Sequence, residues 1–327
     1  MRRVAAVLVA AAWLAAGVAQ AADDPLKVLL FQKNWSAVER LARDRLAADP
    51  KDAGALLALG RLPLARQDEA GLDDAIRTLA ACVEAAPDFA DCHTWYGQAL
   101  AVKVVRGNLL EKIRYAPRIR GEFERAVELA PNALGTRFAL QEYYLLAPGI
   151  IGGSRAKAQE QVALMARANA AYGRMLQAVL DLHDGRLAQA ESAVGSVAIP
   201  AELDAADIQR DLMVNIGNSY LRGGQAADGR RVYEAMTRRY PAESTAWLGL
   251  GRSLQEQGRL DDALPILEKA FALQPDAVPL LRIAQIHQAR GDREKAIAYL
   301  ERAVAFRPAL SGRQMEDARA RLQALRG

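Results

Sequence analysis

Side chains able to do covalent or metal chemistry are scarce in this 327-residue chain, which holds two cysteines and three histidines. Cys82 and Cys92 stand symmetrically about Pro87. Two antiparallel helices meeting at that proline would bring both sulfurs to one height. Helix axes usually lie about 8–10 Å apart, so a bridge forms only if both side chains face inward. In an oxidising compartment adjacent cysteines tend to pair. The other reading is a packed thiol, because Cys82 occupies a position that elsewhere takes small residues. A free-thiol assay separates the two. His93, His183 and His287 each lack a second His or Cys at metal-ligand spacing, so they read as structural or surface residues. No nucleophile elbow, HExxH pair or Walker loop is present. The carboxylate pairs Asp73-Asp74 and Asp261-Asp262 fall at helix starts. There they complement the helix dipole, and Asp261 reads as an N-cap. These absences predict a non-enzyme with no catalytic residue, no metal and no cofactor.

Two segments invite a ligand. The Gly-rich stretch GIIGGS, Gly149 to Ser154, would need a strand before it and a lysine-bearing helix after it to cradle phosphate. A helix is predicted before it instead. It therefore reads as a stretched turn in which Ser154 caps the helix from Arg155. The second segment, Val102 to Gly121, sets Lys103, Arg106, Lys112, Arg114, Arg118 and Arg120 against Glu111 alone. One reading is a solvated face of lengthened helices. The other is a basic ledge, centred on Arg114, Arg118 and Arg120, that docks an acidic protein, lipid headgroups or a cell-wall polymer.

Bulk charge is nearly balanced, with 43 basic and 39 acidic residues and a net charge of +4. Without clustered cations on one face it carries no nucleic-acid footprint, so no nucleic acid is expected as partner. The N-terminus reads as a secretory signal over 1–21. Arg2 and Arg3 precede an apolar run from Val4 to Val18, and Ala19-Gln20-Ala21 supplies small residues at the cleavage site. That run is shorter than the roughly 20 residues of a membrane span. No cysteine follows the site for acylation. Export is expected, with the mature chain free of any stable membrane span and periplasmic if the source is Gram-negative.

The elements that must position these residues come from a repeat. Composition is 51% hydrophobic but only 6% aromatic, which favours helices. Pro241, Pro275 and Pro308 recur in step, as do Gly224, Gly258 and Gly291, and Ala263 with Ala296 and Ala270 with Ala303. Residues 244–277 resemble a tetratricopeptide repeat, with Trp247, Leu250, Gly251, Ala263, Leu267, Ala270 and Pro275 at matching offsets and Leu254 in place of the usual Tyr. Residues 210–243 and 277–308 are similar. The small residues let two helices approach, the large ones fill between ridges, Gly258 ends the first helix and Pro275 closes the unit. Looser versions fill 26–50, 53–87, 90–131, 135–170 and 171–200, and Ser311 to Leu325 reads as a polar-faced cap. The resemblance implies an all-α, right-handed superhelical solenoid of antiparallel helix pairs. Its expected parts are an elaborated array over 22–200, with insertions near 102–121 and 147–154, and a regular array with a capping helix over 201–327.

The same resemblance implies that the first helix of each repeat lines a concave binding face. In the last three repeats its exposed positions hold Asn215, Asn218, Arg222, Arg252, Gln255, Arg282 and Gln285. Amide and guanidinium groups suit peptide backbone and carboxylates. Chaperone-binding clamps of this family grip a C-terminal carboxylate. Asn218 and Arg282 match that clamp, whereas Val214, Gly249 and Val278 depart from it. Further upstream the equivalent line is Leu57, Arg61, Trp95, Gln98 and Tyr143, more apolar and suited to a helix or extended segment. Core packing is the other reading of Trp95 and Tyr143. The expected function is a periplasmic scaffold for a protein or peptide partner, in envelope assembly or secretion. An accessory subunit of an envelope enzyme complex, or a self-associating structural solenoid, are the alternatives.

Overall fold

The computed structural model describes residues 24–66 and 68–327, so the signal expected over 1–21 lies outside the described residues. Every regular element described is helical. The first half contains α1 (Pro25–Phe31) with α2 (Trp35–Ala48), α3 (Ala53–Ala65) with α4 (Leu72–Ala85), α5 (Ala90–Arg106) with α6 (Leu109–Leu129), and α7 (Leu134–Leu146) with α8 (Arg155–Ala168). Then come α9 (Ala170–His183) with α10 (Leu187–Gly195), α11 (Leu203–Arg222) with α12 (Ala226–Arg239), α13 (Ser244–Glu256) with α14 (Leu260–Leu273), and α15 (Ala277–Ala289) with α16 (Arg293–Ala305). A last helix, α17 (Gly312–Arg326), closes the array. Each helix packs on the next, and the antiparallel pairs stack into a right-handed solenoid.

One contact repeats along the chain and explains the small residues of the first helices. A Cβ on Gly60 would lie 2.4 Å from Leu79, one on Gly97 2.7 Å from Phe123, one on Gly217 2.7 Å from Tyr233 and one on Gly251 2.7 Å from Leu267. Each is a first helix pressed against the large residue of its own second helix, with no room for a methyl group. The regular turns are equally local. Gly185, Gly224, Gly258 and Gly291 take φ between +73° and +80°, the left-handed conformation that ends a helix at low cost to glycine. The expectation that Asp261 caps α14 is corrected. The cap position is Arg259, which makes no side-chain cap bond. Asp261 sits in the first turn, where it complements the dipole and pairs with Arg290.

The insertion at 102–121 is taken up as helix, for α5 and α6 run 17 and 21 residues. Asn108 and Glu111 close a capping box between them, each bonding the other's backbone N–H at 3.0 Å. The insertion at 147–154 is a 3-10 turn over Gly149–Ile151, followed by Ser154 as N-cap of α8. The change of style near residue 200 is no break in the core. One buried apolar cluster runs from Leu134 on α7, through Leu176 and Ile216, to Ile286 on α15.

Candidate functional site

Along the first helices of the C-terminal repeats runs a ladder of polar side chains. Arg252 Nε donates to Glu256 Oε1 at 2.7 Å on α13, and Arg282 on α15 approaches Gln255 Oε1 at 3.5 Å. Gln285 donates to Asp317 Oδ2 of α17 at 3.2 Å, and Arg321 pairs with Asp317 at 2.9 Å. The capping helix therefore supplies the next rung. Burial, and then the like charge of Arg252, holds the Arg282 guanidinium below its ordinary range. Arg252, Arg282 and Arg321 together face Glu256 and Asp317, so the ladder carries one cation in surplus. At its other end Asn218 accepts from the Tyr233 hydroxyl at 3.0 Å, Arg222 donates to Ser219 at 2.8 Å, and Asn215 is exposed.

The upstream line is built differently. Tyr143 does not face a partner: it is 9% exposed, packed edge-on against Phe123 and Tyr144, with its hydroxyl donating to the carbonyls of Ala116 and Ile151. Its ring fills the space under the lengthened α6, which corrects its assignment as a binding residue. Leu57 is also buried. Trp95 and Gln98 are half-buried, and the Arg61 guanidinium lies 4.1 Å from the Trp95 ring centroid while only 7% exposed. Nothing in the sequence around α1 signals that it reaches across to α11. Lys27 Nζ lies 3.4 Å from Asp91 of α5 and 3.3 Å from Asp204 of α11, and Arg61 lies 3.5 Å from Asp204. Lys33 Nζ meets Glu243 at 2.8 Å, Arg210 Nη1 meets the same carboxylate at 3.1 Å, and Arg210 stacks 4.6 Å from the Phe31 ring. The Lys27 ammonium is opposed by burial, yet Asp91 and Asp204 hold it above its usual value. The paired Lys33 and Arg210 overcome burial and hold the Glu243 carboxyl below its usual range. Nearby, burial and the charge of Asp211 push the Glu142 carboxyl on α7 up to about 7.

The basic ledge is partly neutralised. Arg118 pairs with Glu122 at 2.6 Å and lies over Tyr96, and Arg120 meets Glu124 at 3.6 Å. Arg114 is exposed, with the Tyr115 ring 5.8 Å away. Cys82 and Cys92 are bonded to each other, their Cα atoms 5.6 Å apart where α4 meets α5. His93 Nδ1 sits 2.6 Å from Glu122 and Nε2 2.9 Å from Pro87 O, and His287 Nδ1 lies 3.1 Å from Asp292. No group of three or more potential metal ligands occurs among the described residues, and no described helix is long and apolar enough to cross a membrane.

Two tetratricopeptide-repeat family models match the sequence, one over residues 214–278 and the other over 254–322. No curated protein matches it. The crystal structure of yeast Tom70 superposes with a TM-score of 0.63 at 13% identity, covering 90% of this chain and 59% of that one. The chain thus spans about three fifths of that protein's length, and the likeness is one of fold. A Pseudomonas aeruginosa PilF structure (14% identity, 71% of this chain, 97% of that one) and a tetratricopeptide-repeat protein from Parabacteroides merdae (10%, 92% and 96%) align with TM-scores of 0.43 and 0.40. Residues 214–322 thus match tetratricopeptide-repeat models, and the chain as a whole has the fold of a tetratricopeptide-like solenoid.

Proposed function

We propose that this protein is an exported periplasmic scaffold that holds a partner protein by an acidic or C-terminal segment, in the service of envelope assembly or secretion. The observation that carries the binding mode is the Arg252–Arg282 pair. Two guanidinium groups share a half-buried rung with too few carboxylates, so an incoming anion gains charge-assisted bonds from both. Tetratricopeptide solenoids serve as protein-interaction scaffolds, which supports the broader part of the reading. The periplasmic address rests on the sequence pattern of residues 1–21.

The test is crosslinking in the envelope fraction followed by mass spectrometry, comparing wild type with an Arg252→Ala/Arg282→Ala double variant. A specific set of crosslinked proteins should be depleted in the variant. Equal recovery of the same proteins would place the binding surface elsewhere. Fractionation and the mass of the mature N-terminus check export separately, since a cytoplasmic, uncleaved chain would end the periplasmic part alone.

A further inference from the structure

Outside the polar ladder, the described residues leave large apolar side chains in water mainly at one edge. Val105 at the end of α5 and Leu146 at the end of α7 are each 72% exposed, Leu110 on α6 is 76% exposed, and Ile150 in the 3-10 turn is 85% exposed. Ile113 is exposed as well. These positions belong together. Val105 precedes the short link into α6, and Leu110 and Ile113 are one turn apart on it. The Tyr143 hydroxyl ties the Ile151 carbonyl to that of Ala116, one turn beyond Ile113.

The turn that presents Ile150 is built rather than loose. Gly152 stands at φ +101°, and a Cβ on Gly153 would fall 1.7 Å from the Ala147 carbonyl oxygen. Backbone bonds run from Gly153 to Pro148 and from Ser154 to Tyr144. Two glycines and a proline thus hold a large apolar side chain outward.

The charge around these tips has one sign. Leu110, Ile113, Arg114 and Pro117 share the i, i+3, i+4, i+7 face of α6, and Arg118 and Gly121 extend it. No acid lies on that stripe: Glu111 is turned back into the capping box, and Glu122 and Glu124 are engaged by Arg118 and Arg120. Lys112 and Arg114 have no carboxylate partner among the described ion pairs. Side chains exposed this far protrude from the surface. They can enter the acyl boundary of a bilayer while the cations beside them meet phosphate.

We infer that the edge formed by α6 and the 148–154 turn docks peripherally on an anionic lipid bilayer, with Leu110 and Ile150 as its inserting tips and Lys112 and Arg114 as its headgroup contacts. Such docking leaves the polar ladder of the C-terminal repeats open to a protein partner, and the two activities are separable by mutation.

The test uses the protein as the cell processes it, its N-terminus fixed by mass spectrometry, in flotation with vesicles of equimolar phosphatidylcholine and phosphatidylglycerol. Wild type should float with these vesicles, and less so with phosphatidylcholine alone or in high salt. Leu110→Ser/Ile150→Ser should lower partitioning about tenfold or more, the effect of removing two inserted apolar side chains. Lys112→Glu/Arg114→Glu should abolish the preference for anionic vesicles. Amide exchange over 105–118 and 146–151 should slow when vesicles are added, a readout that no other lipid-binding segment can mimic. Failure of the wild type to float overturns the proposal, as does unchanged exchange at both segments. Equal flotation of the Ser variant, or an effect of those substitutions confined to self-association or protein capture, also overturns it. Unaltered helical melting curves establish that the variants fold, since all four positions lie at the surface.

Discussion

Between the helices of the C-terminal repeats, at 223–225, 257–259 and 290–292, the chain turns in a few residues around a left-handed glycine. At the corresponding places upstream, α5 and α6 overrun their partners and the 147–154 segment inserts an extra turn. Both halves use the glycine-against-large-residue contact inside helix pairs, at Gly60 and Gly97 upstream and at Gly217 and Gly251 downstream, so the pair and not the connection specifies the stack. The connection decides what the outer edge shows: polar and short downstream, apolar and basic upstream. The inner faces differ as well. Downstream the ladder of Arg252, Gln255, Arg282 and Gln285 stands open and ends on α17. Upstream the first helix crosses to α11 and ties the beginning of the solenoid to its middle.

That cross-tie is the strongest single difference between the two halves. Arg210 and Glu243 are both buried and face each other at 3.1 Å, with Phe31 stacked on the guanidinium. Removing one member of such a pair leaves a buried charge whose only remaining cation is Lys33. Arg210→Ala should therefore cost about 3–5 kcal/mol in a denaturant melt. Its signature should be faster amide exchange at α1 and at the start of α13 together, with α15 to α17 unchanged. A loss confined to α11, or one below about 1 kcal/mol, would show that the beginning of the solenoid and its middle are not energetically joined.

Much of this architecture was legible because it is local. Gly251 with Leu267, Gly258 after α13 and Pro275 after α14 each sit in one repeat, and the repeat announces itself by recurrence. The ladder was legible for the same reason, since Asn218, Arg252 and Gln285 occupy equivalent positions on successive first helices. The cross-tie was not, because Lys27 and Asp204 lie 177 residues apart in sequence and nothing near either residue signals the other. Tyr143 misled for a related reason. Its place on the repeat pattern points inward, but the lengthened α6 and the inserted turn supply two carbonyls that capture its hydroxyl. The exposed stripe of α6 was visible only as charge, since exposure of Leu110 and Ile150 depends on what fails to cover them.

The cystine sharpens the contrast by a smaller amount. Cys82 and Cys92 close a loop between two adjacent repeats of the upstream half, and the downstream half contains no cysteine. For so short a loop the chain-entropy model gives about 2–3 kcal/mol. A Cys82→Ala/Cys92→Ala variant should lose that much, and the unfolded, unreduced wild type should show no free thiol. Two free thiols would remove the cross-link from the account of the upstream half, leaving the cross-tie as its distinguishing constraint.

The smallest effect separates the halves by pH. Glu142 on α7 titrates near 7 in the folded chain, pushed up by burial and by Asp211, against an ordinary value of 4.5. A carboxyl raised on folding binds its proton more tightly in the native state. Stability therefore falls as pH rises from about 4.5 to about 7, and the full cost stands above that window. Asp211 is raised in the same sense, by burial acting against Arg210 and Lys33. Glu243 works oppositely: its depressed carboxyl gives stability above about 4.5 that is lost as pH falls through its folded value, below the same window. A comparison of wild type with Glu142→Gln between pH 5 and 8 thus reads Glu142 together with its coupling to Asp211, because contributions of distant groups cancel. The variant should match wild type near pH 5 and exceed it by about 1–3 kcal/mol at pH 8. The gain should appear in amide exchange at α7 and α11 and be absent at α15, where the inner face is open and carries cations instead of crowded carboxylates. A pH-independent difference, or an equal gain at α15, would mean that the two inner faces are not electrostatically distinct.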